Sequence, residues 1–298
     1  NDSYGDEIPE IFYSFYREII VINTFNNEAT LISHSGDIEK INTLEKLIKT
    51  KKTNEFSFKI EGEIKSNLKD NEYLEMVKKG IKHCFRGDVF QIVLSRKFSQ
   101  KFSGDEFCVY RQLRSINPSP YLFYFDYGNF KIFGSSPEAQ LVIKDEKAEI
   151  HPIAGTFKRT GNDLIDSKKA KKLFQDEKEN SEHMMLVDLA RNDLSRSCNN
   201  VKVEKDREIQ FYSHVIHLVS KVTGKLKSIS KNIIGNTFPA GTLTGAPKYK
   251  AMNLIEKYEK NNRSFYGGAI GFIDFENNYN HAIIIRSFLS KDQNLFLQ

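Results

Sequence analysis

Hydrophobic positions in the first third of the chain change between runs rich in Ile, Phe, Tyr and Val and a helical repeat. Apolar runs at 11–22 and 29–34 predict strands, 56–63 is predicted as a strand or a linker, and the pattern at 37–49 predicts a short helix. A longer helix is predicted over 72–85, where apolar side chains recur every three or four positions.

The middle of the chain is rich in closely spaced strands. The pattern predicts a strand at 88–98 and a helix at 105–116. Strands separated by turn residues, as in an antiparallel meander, are then predicted at 121–127, 130–133, 141–144 and 148–153.

Helices and longer strands share the remainder of the chain. Two helices are predicted between 158 and 192, the second with Asp188 on its polar side. Further elements are predicted as strands at 200–209, 212–225, 265–275 and 279–290 and as helices at 229–237 and 247–258. Strand clusters separated by helices, without strict βαβ alternation, predict an α+β fold with large antiparallel sheets. We expect residues 1–298 to form a single domain.

Composition indicates a soluble globular protein. The 298 residues contain 44 Lys and Arg against 39 Asp and Glu, a net charge of +5. Because 33 of the basic residues are Lys and they are spread along the chain, a solvated surface is favoured over a nucleic-acid-binding face. No apolar run approaches the roughly 20 residues of a membrane helix. We therefore expect neither a nucleic-acid nor a membrane partner.

Cysteine and histidine spacing predicts no metal site. Cys84, Cys108 and Cys198 are far apart and include no C-x-x-C pair, which argues against a disulfide framework or a zinc site. His214 and His217 are three residues apart in a predicted strand and so point to opposite faces; either can be a core histidine. With no charged-then-apolar leader, a reducing cytoplasm is expected.

Acidic residues are the first candidates for chemistry. Glu179 and Glu182 are three residues apart at a predicted helix start and share one face, as metal-binding carboxylates do. The alternative is a solvated acidic helix start, which the helix dipole favours. Glu138 lies in a turn between strands, where a buried carboxyl can act as a general acid, although turn glutamates are usually solvated.

Loops and strand ends supply further candidates. The glycine-containing loop at 238–248 opens a helix, so its amides and Lys248 suit an anion, or it is a tight structural turn. Gly155 lets a substrate approach the backbone, and Thr156 can donate a hydroxyl hydrogen bond. Arg286 ends an apolar run, where a guanidinium can bind a carboxylate or form a structural ion pair.

Together these segments resemble the chorismate-utilising enzymes, most closely the anthranilate synthase component I branch. The resemblance runs from about residue 9 to the last residue. Its matching stretches are 87–96, 135–138, 152–156, 176–193, 212–223, 238–248, 266–271 and 282–286. It implies a large α/β sandwich of antiparallel sheets, with the active site between sheet and helices.

The resemblance implies a metal and a set of substrate contacts. Glu182 would ligate Mg²⁺ directly, and Glu179 would do so nearby or through water, the ion fixing the ring carboxylate of chorismate. The residues that would contact the substrate are Gly155, Thr156, Tyr266 and Arg286, the last two through the enolpyruvyl carboxylate.

Catalytic roles also follow from the resemblance. Glu138 would protonate the departing C4 hydroxyl, His217 would serve the later loss of pyruvate, and Thr242 would line the same pocket. Gln91 stands where isochorismate and salicylate synthases have a lysine that activates water, and Ala154 where aminodeoxychorismate synthase commonly has a nucleophilic lysine. Ammonia is the remaining nucleophile, which implies a lyase that forms anthranilate for tryptophan biosynthesis.

A separate glutamine amidotransferase subunit (component II) is implied as the ammonia source, in a hetero-oligomer, because no cysteine lies in a glycine-flanked nucleophile turn. Pro120, Tyr121 and Leu122 match a segment that contacts inhibitory tryptophan in relatives, or simply begin a strand. Relatives extend beyond both ends, so the chain is expected to lack terminal segments of the full enzyme.

Two alternatives remain open: another chorismate enzyme, namely aminodeoxychorismate or isochorismate/salicylate synthase, and a noncatalytic nucleotide- or nucleic-acid-binding protein.

Overall fold

The computed structural model of the chain describes residues 8–50, 56–227 and 232–298. These residues divide into two compact units, a small one over 9–57 and a large one that contains residue 8 and the described residues from 58 to 298. The single-domain organisation stays a prediction.

The small unit contains a β-hairpin and a helix. Strand β1 (Glu18–Asn23) pairs antiparallel with β2 (Glu28–Ser33), and α1 (Ile38–Lys49) begins where Asp37 accepts two backbone N–H groups. The predicted helix is confirmed. The strand predicted at 11–22 is wrong over its first part, because β2 offers pairing partners for only six residues.

The large unit contains all of the candidate site residues. Its elements in chain order are β3 (Phe58–Ser66), α2 (Asp70–Phe85), β4 (Gln91–Ile92), β5 (Phe98–Gly104), α3 (Phe107–Ile116), β6 (Tyr121–Asp126), β7 (Phe130–Ser136), β8 (Ala139–Lys144), β9 (Lys147–Ile150), β10 (Ile153–Lys158), α4 (Asp163–Gln175), α5 (Glu177–Ser195), β11 (Cys198–Phe211), β12 (Val215–Leu226), α6 (Asn232–Thr237), α7 (Gly241–Thr244), β13 (Gly245–Ala246), α8 (Lys248–Tyr258), β14 (Ala269–Ile273), β15 (Tyr279–Ile283), β16 (Ser287–Lys291) and β17 (Asn294–Leu297). The predicted α+β class is confirmed. Positions 229–231 of the helix predicted at 229–237 lie outside the described residues. No helix in the described ranges is long and apolar enough to cross a bilayer.

Two antiparallel sheets divide these strands. Over the described residues, one sheet has the order β3-β5-β17-β16-β7-β6, and the other has the order β10-β12-β9-β8-β15-β14 with β11 also paired to β12. The meander predicted over 121–153 is therefore wrong, because β6 and β7 pair in one sheet while β8 and β9 pair in the other. The chain changes sheet at Pro137, which has no N–H with which to continue the ladder.

Two neighbouring crossovers connect the sheets. β7 passes into β8 through Pro137 and Glu138, and β15 passes into β16 through a segment that ends at Arg286. The Ile283 N–H donates to the Glu138 carbonyl at 3.0 Å, and the Ser135 N–H donates to the Arg286 carbonyl at 3.1 Å. Each crossover is thus hydrogen-bonded to a strand that flanks the other, Glu138 to β15 and Arg286 to β7.

Helix α5 covers the second sheet. Its first turn is capped by Asp176, whose carboxylate accepts two backbone N–H groups at 3.1 Å. Farther along, Val187, Ala190 and Leu194 pack in a buried core with side chains of β8, β9 and β12. This packing fixes the acidic first turn of α5 over the sheet.

The strand predicted at 88–98 is mostly wrong. The two residues of β4 pair with β13, and the N–H groups of Phe90 and Val93 donate to the Ala246 and Thr244 carbonyls at 2.7 and 2.9 Å. Beyond these bonds the backbone finds side-chain partners. The Ser95 N–H donates to the Glu259 carboxylate at 2.8 Å, and the Val93 carbonyl accepts from Arg263 at 2.7 Å. Polar side chains take the place of a ladder there.

Gly134→Ala should destabilise the large unit. A Cβ at Gly134 in β7 would clash with Ser287 Oγ and lie 2.8 Å from the Phe123 ring. We expect denaturant unfolding to show a loss of about 1–3 kcal/mol. Gly235→Ala is the matched control, because no described atom lies within 4 Å of its new Cβ and alanine is favoured in a helix. Equal stabilities for the two variants would contradict this packing.

Candidate active site

Glu138 is a buried carboxyl at the crossover from β7 to β8. The residue is 8% exposed, and Thr242 Oγ1 donates a hydrogen bond to its Oε1 at 3.1 Å. Burial raises the pKa of Glu138 to about 8, although the Thr242 hydrogen bond and the charge of Arg286 act in the opposite direction. Its carboxyl is therefore mostly protonated at neutral pH and can serve as a proton donor.

The glycine loop places Thr242 beside Glu138. Thr242 lies in α7, and the next residues form β13, which pairs with β4 at Gln91. Gly245 has φ +136°, and a Cβ there would clash with the Gln91 carbonyl. This close approach requires glycine.

Two other sequence candidates are engaged in structural contacts. Lys248 Nζ donates to Asp193 Oδ2 at 2.6 Å and to the Thr237 carbonyl at 3.1 Å, so the loop does not present this lysine to an anion. His214 precedes β12, and its Nε2 lies 2.9 Å from the Ile116 carbonyl oxygen. A tight structural turn therefore describes the loop at 238–248 better than an anion site that uses Lys248.

His217 on β12 faces a bulge in β10. Its Nδ1 lies 3.1 Å from the Gly155 carbonyl and 3.1 Å from Thr156 Oγ1. Because a carbonyl only accepts, Nδ1 carries the proton and Nε2 keeps its lone pair. Burial lowers the pKa of His217, while its bond to Gly155 acts in the opposite direction. The ring is consequently a neutral base near pH 7.

The acidic pair lies on the first turns of α5. Glu179 and Glu182 are half-buried, and a Cβ at Gly155 would be 3.4 Å from Glu179 Oε2. Gln91 Nε2 donates to Glu182 Oε1 at 3.1 Å, while the buried Gln91 Oε1 has no hydrogen-bond partner among the described residues. These oxygens fit Mg²⁺, which is commonly held by one or two carboxylates and shares its other positions with water and substrate. The described ranges hold no group of three or more His, Cys, Asp or Glu side chains that would close a metal site.

Arg286 and Tyr266 lie on either side of the β14–β15 hairpin in sequence. Arg286 is exposed to solvent, yet close enough to Glu138 for its charge to lower the pKa of that carboxyl. Tyr266 is half-buried, and burial raises its pKa. Its ring lies 5.6 Å from the Arg263 guanidinium. The structure thus places Arg286 near Glu138 and Tyr266 near a different arginine.

The predicted effector segment begins β6. Tyr121 pairs with Ser136 and Leu122 pairs with Ser135 in β7, while Pro120 precedes the strand. The segment is therefore one strand away from the backbone that leads into the Glu138 crossover. Its role as an effector site stays a prediction.

Sequence reasoning missed two residues beside the site. His183 is fully buried, and its Nε2 lies 2.7 Å from Ser220 Oγ, so it fixes α5 to the strand of His217. Its position between Glu182 and the apolar run that begins at Met184 was an available signal. Tyr212 contacts the His217 ring edge-on at 5.2 Å, a contact made by the turn between β11 and β12 that no local pattern indicates.

Comparison with known proteins identifies relatives along nearly the whole chain. The profile of the family described as chorismate binding enzyme matches residues 2–298. Anthranilate synthase component 1 of Aquifex aeolicus (strain VF5) is 43% identical over 238 residues, covering 78% of this chain and 48% of the relative. The Bacillus subtilis (strain 168) protein of that name is 38% identical over 301 residues, covering 97% and 58%. The crystal structure of anthranilate synthase component I from Streptococcus pneumoniae TIGR4 superposes with a TM-score of 0.85 at 32% identity, covering 94% of this chain and 66% of that one. The chain thus spans about half the length of the curated relatives it matches.

Glu138→Gln should change the pH dependence of stability. Because the folded pKa of about 8 lies above the ordinary 4.5, the folded protein holds a proton that the unfolded chain releases between these values. Stability contributed by this group therefore falls as pH rises through that range. Glutamine keeps an acceptor for Thr242 without titrating. We expect Glu138→Gln to gain stability over the wild type between pH 5 and 8, by a few kcal/mol at about 1.4 kcal/mol per pKa unit.

The measurement is denaturant unfolding at each pH, with Glu179→Gln at a half-buried carboxylate as the matched control. If the free energies of unfolding of Glu138→Gln and the wild type differ by the same amount from pH 5 to 8, Glu138 titrates normally.

Proposed function

Because the chain belongs to the chorismate binding enzyme family, we propose that it converts chorismate and ammonia to anthranilate, pyruvate and water. The main support is Glu138, a carboxyl that burial keeps protonated beside Thr242 and Arg286. A neutral carboxylic acid in a dry site is suited to protonating a leaving hydroxyl at pH 7. The proposed enzyme is a lyase of tryptophan biosynthesis.

The residues at two positions favour an external nucleophile. Gln91 is a neutral amide that donates to Glu182, so it has no basic nitrogen with which to activate water. Ala154 is 7% exposed and has no amine with which to attack the ring. A small nucleophile from outside the chain fits best, and we propose ammonia.

The proposed reaction has two stages. Glu138 protonates the C4 hydroxyl, which leaves as water while ammonia forms a bond to C2, and the new C2 ammonium returns its surplus proton to the Glu138 carboxylate. His217 Nε2 then accepts the C2 proton as the C3–O bond to the enolpyruvyl group breaks and the ring becomes aromatic. The released enolpyruvate takes up one proton, which balances the proton removed from C2, and leaves as pyruvate. Glu182 and Glu179 would hold Mg²⁺, which supplies positive charge to the ring carboxylate when bound. Side chains and backbone that would bind the substrate are Gly155, Thr156, Tyr266 and Arg286.

The proposal includes partners. A separate glutamine amidotransferase subunit (component II) would supply ammonia in a hetero-oligomer in the cytoplasm. Cys198 is a poor candidate for an internal glutaminase nucleophile, because it is buried and burial raises its pKa. Tryptophan would inhibit through Pro120, Tyr121 and Leu122, one strand from Glu138.

Product analysis tests the proposed function directly. The purified protein, given chorismate, Mg²⁺ and ammonium, should release anthranilate and pyruvate in equal amounts, and EDTA should stop the reaction. Anthranilate fluorescence and chromatography measure the products. Isochorismate, salicylate or aminodeoxychorismate as the product would contradict the assignment, as would salt-sensitive nucleic-acid binding without turnover.

His217→Met should separate the two stages. Removing the base at Nε2 should slow loss of pyruvate by ~100-fold or more, since ~100-fold is the lower end of general-base effects, while amination continues. An aminated intermediate should accumulate and be detected by mass spectrometry. His214→Met is the matched control, since His214 is exposed and contacts the Ile116 carbonyl instead. Normal anthranilate formation by His217→Met would remove His217 from this role.

A further inference from the structure

Arg263 lies in the loop between α8 and β14 and uses its guanidinium to join separate parts of the large unit. Nη1 donates to the Leu243 carbonyl at 2.6 Å, and Nη2 donates to the Val93 carbonyl at 2.7 Å. Nε and Nη2 also donate to the two carboxylate oxygens of Glu259 at 2.9 and 2.6 Å. The side chains of Arg263 and Glu259 are only 17% and 6% exposed.

The two carbonyls belong to segments that hold the candidate catalytic residues. Leu243 directly follows Thr242, which donates to Glu138. Val93 is two residues after Gln91, which donates to Glu182, and the Val93 N–H also donates to the Thr244 carbonyl at 2.9 Å. One guanidinium therefore fixes the loop beside the proposed acid and the strand beside the proposed metal carboxylate.

Glu259 extends these contacts. Its Oε1 accepts the Ser95 N–H at 2.8 Å and the Ser95 hydroxyl at 2.9 Å. The chain after β4 is therefore bound by Arg263 at Val93 and by Glu259 at Ser95. The geometry matters more than the charge, because a planar fork can bind a carboxylate and two carbonyls at once and an ammonium cannot reproduce that arrangement.

We propose that Arg263 is a positioning residue for the reaction: through Leu243 and Val93 it holds Thr242 against Glu138 and Gln91 against Glu182. This inference rests on the proposed function. Arg263 does not touch the reacting atoms; it acts through the residues that do.

Arg263→Lys tests the proposal in the full protein. Lysine keeps a positive charge near Tyr266 but loses the fork, so kcat should fall by ~100-fold, the scale of a small misplacement of catalytic groups, while KM for chorismate changes less than about threefold.

Weakening the Thr242 hydrogen bond should also move the high-pH fall in kcat/KM to higher pH, because that bond lowers the pKa of Glu138. Thr242→Val should move it the same way, and adding Arg263→Lys to Thr242→Val should shift it no further. Arg191→Lys, at an exposed ion pair with Asp188, is the matched control and should leave kcat and the pH profile unchanged.

Hydrogen exchange supplies a readout independent of turnover. In Arg263→Lys, the amides of 90–95 and 241–246 should exchange at least ~10-fold faster, while those of β8 keep their wild-type rates. If the wild-type protein makes no anthranilate, the proposed function is overturned. Hydrogen exchange then still decides whether Arg263 fixes the two segments. Wild-type kcat and pH profile in Arg263→Lys, full additivity with Thr242→Val, or unchanged exchange in both segments would each overturn the positioning role.

Discussion

The burial of one carboxyl at the junction of two sheets is the constraint on which the site depends. Glu138 lies where β7 leaves one sheet and β8 enters the other, and its carbonyl accepts the N–H of Ile283, the last residue of β15. An ionised carboxylate would be costly in this position, so the group stays protonated. Thr242 then satisfies one oxygen without supplying enough stabilisation to restore an ordinary pKa.

The rest of the site is arranged around this junction by the two layers. Helix α5 packs on the second sheet through Val187 and Ala190, which brings its acidic first turn over the bulge at Gly155. The same bulge binds Nδ1 of His217 and thereby determines which ring nitrogen remains basic. The residues proposed as acid, base and metal ligands thus come from separate elements whose spacing is set by core packing.

Local patterns predicted much of the secondary structure but not how the strands divide between the two sheets. The helical repeat over 72–85 and the acidic turn of α5 were readable because capping and periodicity are local. The meander was wrong because pairing partners such as β7 and β16 are more than 150 residues apart in sequence. The failure at 88–98 has a related cause, since the partners of Val93 and Ser95 are side chains of Arg263 and Glu259. Local reasoning identified Glu138, Glu179 and Glu182 as candidates, and the family resemblance supplied their roles, whereas the raised pKa of Glu138 required the burial that only the fold shows.

Direct titration of the Glu138 carboxyl tests whether burial keeps this group protonated at neutral pH. The protein would be labelled with ¹³C at glutamate side-chain carboxyls, and the resonance would be assigned by its loss in Glu138→Gln. We predict that this carboxyl titrates near pH 8 in the folded protein, far above its ordinary pKa of 4.5. A Glu138 titration near 4.5 would contradict it, because the group would then be ionised at neutral pH and unable to act as the acid.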